Sequence, residues 1–427
     1  MKILSLTAGA AQMYCGSCLR DNNLAGELLR QGHDVTLVPI YTPTKTDEAN
    51  QSYSREILFG GISVYLQQHS ALFRHTPRFL DRLWDSRWAL KAASKRSLPV
   101  DPRFLGEMTV SMLQGDRGPL SKEFHKLEVW FEHQHRPDIV NLPNTLLIAM
   151  APAIRRVFDG PIVSTLQGED LYLEGLIEPY RTQSLFLIRE QIRYIDGFVS
   201  ISESYSRTMT EFLGLPPEKV FTVPVGVDPS HFTQAAPDGP FKVGYLARIA
   251  PEKGLHLLCE AWRIFRGSYS GPAELHAAGY LAPEHHDYFN EHRETPDFVW
   301  HGELDRAEKV NYLASLDAFC VPPVYNDPKA LYVLEALSSG VPVVVPERMA
   351  PREHVEACGG GIVVTPDSPH AMAEAFLELA VDRQKARQLG AQGREGVQRA
   401  RTLRQMAERT VAVYQSLLAP SRQEVLA

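Results

Sequence analysis

Two segments of this chain place charged side chains where a strand pattern gives way to a helix pattern. In GYLARIAPEKGLHLL (244–258) a strand-like run ends near Arg248, and Ala250-Pro251-Glu252-Lys253-Gly254 opens a helix-like run. One planar guanidinium fork, one compact ammonium and the free amides of a helix N-terminus together suit a diphosphate. The plainer alternative is an Arg and a Lys solvated on a loop. In VPPVYNDPKALYVLEALSSGVPVVVP (321–346) seven residues, 328–334, separate Asp327 from Glu335. A helix that starts near Lys329 has Asp327 at its mouth and Glu335 about two turns inside. Two carboxylates held there accept hydrogen bonds from vicinal diols, one of a sugar and one of a ribose. The amides of Ala330 and Leu331 then stay open to phosphate or sugar oxygens. The alternative makes Asp327 a helix cap and Glu335 a solvated face residue. Leu331, Val333, Leu334, Ala336 and Leu337 around Glu335 argue against an idle surface carboxylate.

A third stretch, MYCGSCLRD (13–21), carries Cys15 and Cys18 at the spacing of a redox pair or half a zinc site. The chain has five cysteines and no second pair at that spacing, and the adjacent His285 and His286 do not share a helix face. Zinc is therefore disfavoured and no metal is expected. A redox role needs the pair to open a helix in a small βαβ domain, a context that is half met.

These residues need elements to hold them, and the chain is long enough to supply two cores. At 427 residues it calls for two domains of about 200 residues each. The hydrophobic share of 44% and charged share of 22% are those of a globular protein. A formal net charge of −7 argues against nucleic acid as the main partner. The opening Met-Lys-Ile-Leu-Ser-Leu-Thr is too brief for a secretory h-region, and no apolar run is long enough to span a bilayer. The expected location is cytoplasmic.

Strand-like and helix-like segments alternate throughout, which predicts an α/β architecture with parallel sheets. In the first half the strand-like runs are KILSLTA, DVTLVPIY, DIVNLP, PIVSTL, GFVSIS and KVFTVPVG. After QAAPDGP (234–240), which reads as an interdomain linker, the alternation restarts with FKVGYLA, ELHAAGY, DFVWHG, DAFCVPP, VPVVVP and GIVVT. The expected division is 1–233, with an insertion over 41–137, then 241–402, then a closing helical stretch over 403–427. Two doubly wound sheets in tandem put a cleft at their carboxyl ends.

Inside the insertion, FRHTPRFLDRLWDSRWALKAASKR (73–96) sets Phe79, Leu80, Leu83, Trp84 and Trp88 at helical spacing. Seven basic residues there outnumber Asp81 and Asp85. The plain reading is a helix whose aromatic face packs on its own domain. The functional reading is a peripheral surface for anionic lipid headgroups or a lipid-linked acceptor on the inner face of a membrane.

Taken in order, these motifs resemble family 4 of the glycosyltransferases, of the GT-B fold, over nearly the whole chain. Arg248 to Lys253 matches that family's G-R-x-x-x-x-K-G, Asp327 to Glu335 its E-x7-E, and SSGVPVV its A-x-G-x-P-V-V. VPVGVDPSHF (223–232), Gly32-His33-Asp34-Val35 and VWHGEL (299–304) are similar to further family segments, and VWHGEL brings Leu304 toward the nucleobase. The resemblance implies two Rossmann-like domains facing a central cleft, with the C-terminal helix crossing back to the first. It implies a nucleotide-diphosphate sugar on the second domain, a hydroxyl acceptor on the first, and no cofactor or metal. It also implies transfer with retention by front-face displacement. Arg248 and Lys253 would neutralise the leaving diphosphate, Asp327 would hold donor-sugar hydroxyls and Glu335 the ribose. The loop after the first strand would face donor and acceptor, with Gly16 approaching the donor and Ser17, Arg20 and Asp21 near the helix start.

Departures from the family pattern bear on the site. The first acidic residue is Asp327 rather than Glu, and the usual Gly-Phe-Gly after it reads Pro328-Lys329-Ala330. Where the family often has His-x-His, this chain has Asn141 and Pro143, and the later His-Gly reads Gln167-Gly168. Asn144, Gln167 and Glu169 become the candidates for the donor-sugar 6-hydroxyl or the acceptor. The competing readings are a sugar-nucleotide binding protein without transfer and a nucleotide-sugar epimerase of the same fold. A phosphorylase would need a longer chain and a Schiff-base lysine. Glu335→Ala and Lys253→Ala are expected to abolish activity with the fold intact.

Overall fold

A computed structural model of the chain describes residues 1–9, 16–41, 49–52, 59, 102–133, 136–234 and 239–419. It divides into two units, Met1–Val223 with Ala407–Ala427, and Pro224–Met406. The basic aromatic segment 73–96 and Cys15 lie outside the described residues.

The first unit is built on a parallel sheet of β1 (Lys2–Thr7), β2 (Asp34–Pro39), β3 (Ile139–Leu142), β4 (Ile162–Leu166), β5 (Gly197–Ser200) and β6 (Val220–Thr222). Their order across the sheet is β2-β1-β3-β4-β5-β6. Strands β3, β4 and β5 are buried along their whole length, as expected of continuous apolar runs with helices on both faces. Two helices, Pro102–Gln114 and Ser121–Glu132, occupy the later part of the stretch that the sequence marks as an insertion. Phe124 on the second of them is fully buried against Phe59, with ring centroids 5.4 Å apart. Tyr414, on the closing helix Leu403–Leu418, is buried in this unit and shares its surroundings with Arg20 and Asp21.

The second unit repeats the plan with β7 (Phe241–Leu246), β8 (Ala273–Ala278), β9 (Phe298–Trp300), β10 (Ala318–Cys320), β11 (Val343–Pro346) and β12 (Gly361–Val364). All pairings are parallel and the order is β12-β11-β10-β7-β8-β9. Its core joins the sheet to the helices Leu255–Ser268 and Pro369–Val381 through Phe241, Trp262, Phe265 and Phe376, all buried. The Phe265 ring lies 5.1 Å from Trp262 and 6.3 Å from Phe376. The Trp262 indole donates to the Pro296 carbonyl at 2.8 Å, so its one polar atom is satisfied inside the core.

In each sheet the strand order reverses once, between β1 and β3 in the first and between β7 and β10 in the second. At such a reversal the loops leaving the two strands diverge, and ligands bind outside the carboxyl ends. Arg248 and Lys253 follow β7, and Asp327 follows β10. Gly16 opens the helix Gly16–Arg30 that follows β1, and Asn144 follows β3.

One helix of the second unit packs largely through glycine. The helix Arg383–Ala400 is held by glycines at 390, 393 and 396, all buried. A Cβ at Gly396 would lie 1.8 Å from the Cys358 carbonyl oxygen, and one at Gly390 1.9 Å from that of Gly340. Only glycine allows this approach of helix to backbone.

The unit boundary falls ahead of the linker expected at 234–240, because residues 224–233 are tied to the second unit. Val227 pairs with Thr402 in a parallel bridge. Its amide donates to Arg401 at 3.0 Å, and its carbonyl accepts from Leu403 at 2.9 Å.

Candidate active site

The loop after β7 makes a single turn, Pro251–Lys253, closed by Gly254 in the left-handed region at φ +74°. Any Cβ at Gly254 would sit 1.8 Å from the Pro322 carbonyl oxygen. That closeness brings the β7 and β10 loops together, and Val324 donates to the Glu252 carbonyl across the join. Lys253 is carried by this turn to the start of the β10 loop.

There the Lys253 ammonium lies 2.7 Å from Asp327 Oδ2 and 2.6 Å from the Tyr325 hydroxyl. It also sits over the Tyr325 and Tyr332 rings, 4.9 and 5.5 Å from their centroids. Asp327 is only 3% exposed. Both tyrosine hydroxyls donate to Asp327 Oδ2, and the amides of Lys329 and Ala330 donate to Oδ1 at 3.1 Å each. Burial by itself would raise this carboxyl, but Lys253 and the two amides hold it well below the usual carboxylate range. Burial, and then the charge of Asp327, push both tyrosine hydroxyls up, which keeps them donors.

The sequence reading leaves the amides of Ala330 and Leu331 open; the structure shifts that pair by one residue. The Ala330 amide is taken by Asp327, while those of Leu331 and Tyr332 have no hydrogen-bond partner among the described residues. The cause is Ala330, which stands before the helix Leu331–Ser338 in the left-handed region at φ +44°. An alanine there is strained by about 1–2 kcal/mol. Ala330→Gly is expected to stabilise the protein by about 1 kcal/mol, read as a higher denaturant midpoint with unchanged slope.

Glu335 lies further along the same helix with its side chain 13% exposed, and it pairs with Lys309 at 2.9 Å. Lys309 comes from the helix Arg306–Ala314, whose start is fixed by a capping box between Asp305 and Glu308. Leu304, half-buried, stands two residues before that helix. Arg248 is more than half exposed and pairs with Glu252 at 2.5 Å, a surface ion pair that leaves its guanidinium largely in solvent. The structure thus joins Lys253 to Asp327 directly and gives Arg248 and Glu335 partners of their own.

In the first unit the candidates cluster at the carboxyl ends of β3 and β4. Gln167 donates to the Pro143 carbonyl at 2.7 Å and reaches Asp21 at 3.5 Å. Asp21 and Arg20 are paired at 3.1 Å with both side chains 2% exposed. Glu169, also buried, accepts from the Gln167 amide at 2.8 Å and from the Thr145 amide and hydroxyl at 3.2 and 2.9 Å. Burial raises its carboxyl while these donors oppose the shift. Arg20, Asp21 and Glu169 therefore brace the loops from inside. Gly16 is exposed, and Ser17 and Asn144 are half-buried at the same edge. Cys18 is buried on the helix Gly16–Arg30, and no group of metal-ligating side chains occurs among the described residues.

Sequence reasoning missed Tyr325, Tyr332, Lys309 and His354. The tyrosines were visible only as aromatic neighbours of Asp327, and Lys309 and His354 act from other helices. His354 stands 2.8 Å from the Lys329 carbonyl.

Comparison with known proteins gives two family-model matches. The model described as glycosyl transferases group 1 matches residues 227–396, and that described as glycosyltransferase family 4 matches 113–231. The chain is similar to glycogen synthase of Mycobacterium tuberculosis strain H37Rv, 28% identical over 220 residues, or 49% of this chain and 52% of that one. It is also similar to phosphatidyl-myo-inositol mannosyltransferase of Mycolicibacterium smegmatis, 25% identical over 277 residues, 59% of this chain and 62% of that one. The chain thus spans about half to three-fifths of the length of these relatives. Among solved structures, sucrose-phosphate synthase from Thermosynechococcus elongatus superposes with a TM-score of 0.71 at 16% identity, covering 98% of this chain and 100% of that one. Anabaena HepE in complex with UDP and glucose gives 0.66 at 16%, covering 97% and 100%.

Proposed function

The chain belongs to family 4 of the glycosyltransferases, the glycosyl transferases group 1, and from that premise we propose that it moves a sugar from a nucleotide-diphosphate sugar to a hydroxyl acceptor. The observation that carries this reading is the junction of the β7 and β10 loops at the strand-order reversal. It gathers a lysine, two unpartnered amides and, about one turn into the helix Leu331–Ser338, a carboxylate. The amides of Leu331 and Tyr332 and the cations Lys253 and Arg248 would take the diphosphate, and Glu335, held by Lys309, the ribose hydroxyls. Asp327 serves this site by fixing Lys253 and the helix mouth, whatever hydroxyls it also meets.

The proposed step retains configuration. The bond from the anomeric carbon to the diphosphate oxygen breaks, the acceptor oxygen bonds to that carbon on the same face, and the acceptor's proton passes to the departing diphosphate. Positive groups around the diphosphate stabilise the charge that develops on it, and no metal enters this step. Full activity in the presence of EDTA is the expected outcome; a loss restored by a divalent cation would refute metal independence.

The test is transfer or donor hydrolysis across a panel of nucleotide sugars, with the product's anomeric configuration read by NMR. Glu335→Gln is expected to lower kcat/KM by about a hundredfold while keeping a hydrogen bond to Lys309. Nucleotide binding without turnover would favour a binding protein, and interconversion of the nucleotide sugar an epimerase. No helix among the described residues is long and apolar enough to cross a membrane; contact with lipid through 73–96 remains part of the proposal. Sedimentation with anionic liposomes tests it.

A further inference from the structure

We propose that His354 is a positioning residue for donor binding, acting by clamping the single peptide unit between Lys329 and Ala330. The proposal rests on the reading of 327–332 as the donor phosphate site. The helix Met349–Cys358 meets this loop twice: the Ala350 amide donates to the Asp327 carbonyl at 3.2 Å, and His354 Nε2 stands 2.8 Å from the Lys329 carbonyl.

A carbonyl oxygen only accepts, so Nε2 must carry a proton. His354 is 1% exposed, and burial pushes its imidazole down to about 4, with Arg401 also opposing protonation and the Lys329 carbonyl, Glu353 and Asp327 favouring it. The ring is therefore neutral at physiological pH, and its Nδ1 is a bare acceptor. That atom is buried with no hydrogen-bond partner. An apolar side chain of similar size would fill the space without an unsatisfied nitrogen. Packing alone does not account for a histidine here; the bond to the Lys329 carbonyl does.

The bond acts on a peptide plane that is already held from its other edge. The nitrogen of the same peptide unit, that of Ala330, donates to Asp327 Oδ1 at 3.1 Å. Asp327 and His354 thus grip the N–H and C=O ends of one amide. The orientation of this amide sets Ala330 at φ +44°, a conformation that alanine does not favour. That turn is what leaves the amides of Leu331 and Tyr332 open. Without the His354 grip the peptide is free to rotate out of the strained state, and those amides lose their arrangement.

The experiment measures binding of UDP, GDP and ADP to the full chain by calorimetry, following the diphosphate that the wild type binds most tightly. His354→Leu is expected to weaken this binding about tenfold, with a melting temperature close to wild type. His354→Gln, whose amide can donate to the same carbonyl, is expected to restore affinity to within about threefold. His354→Asn, too short to reach, should behave like His354→Leu and replaces it if that variant does not fold. Equal loss in the Gln and Leu variants, tracking a fall in melting temperature, would assign His354 to packing and overturn the proposal. Unchanged affinity in His354→Leu while Glu335→Gln weakens binding would overturn it and leave the donor site standing. Silence of both variants, or no binding by the wild type, would overturn the donor-site reading and this inference with it.

Discussion

Lys253→Met is expected to destabilise the second unit by about 3–5 kcal/mol and to cost at least about a hundredfold in kcat/KM. The sequence reading predicts lost activity in an intact fold, but the environment of Lys253 adds a cost in stability. Its ammonium is the cation 2.7 Å from a carboxylate that is 3% exposed, and it is enclosed by two tyrosine rings. Methionine fills the space and leaves Asp327 with amide and hydroxyl donors but no opposite charge in contact.

The pH dependence identifies the group. In the wild type the folded-state pKa of Asp327 is depressed, so its stabilising contribution is present above the unfolded value near 4 and lost as pH falls below it. In the variant the two Lys253 contributions are gone and burial is opposed only by the amide and hydroxyl donors, so the stability gained as pH rises through about 4 is smaller. Urea unfolding of both proteins should show a gap that widens from about pH 3 to about pH 7. A gap constant across that window would exclude Asp327 as the origin of the loss.

Gly396→Ala is expected to cost about 3 kcal/mol, against the gain of about 1 kcal/mol that alanine brings to an exposed helix. The added methyl would meet the Cys358 oxygen, carbon and Cα at 1.8, 2.4 and 2.5 Å. These are backbone atoms, so relief requires moving the helix Arg383–Ala400 or the end of Met349–Cys358. Gly267→Ala is the control, since nothing lies within 4 Å of its Cβ position. It should be neutral or stabilising, and equal effects at both sites would refute the close-packing argument.

The same helix shows where the sequence stops being legible. The strands of both sheets stand out because Val140, Val163, Val199, Val243 and Val344 sit in apolar runs bounded by turn residues. Arg383–Ala400 packs through Ala386, Val397 and three glycines, so its buried face carries little of the bulky apolar signal that marks the other helices. At the site, the sequence marks Asp327 and Glu335 by their spacing along one loop and helix and Lys253 by its own turn after β7, but not that Lys253 meets Asp327, 74 residues further on. Lys309 and His354 are not marked, because each reaches its partner from a separate helix, at separations in sequence of 26 and 25 residues. The open amides were displaced by one position because no spacing rule places an alanine in the left-handed region. In the first unit, residue types alone gave no sign that Glu169 directs its carboxylate at its own loop and at Thr145 on the neighbouring loop after β3.

The bridge between Val227 and Thr402 bears on the order in which the chain folds during synthesis. The second unit is one continuous stretch whose first and last segments are hydrogen-bonded to each other. All of it can assemble as soon as its own residues have left the ribosome. The first unit begins earlier, yet includes the later turns of Leu403–Leu418, where Tyr414 is buried. The amino-terminal half of the nascent chain therefore waits, with that seat unfilled, until the half translated after it is complete. A ribosome stalled once Met406 has emerged, but before the later turns of this helix, would display a finished second unit and an unfinished first one, the stage at which a chaperone would find apolar surface to hold.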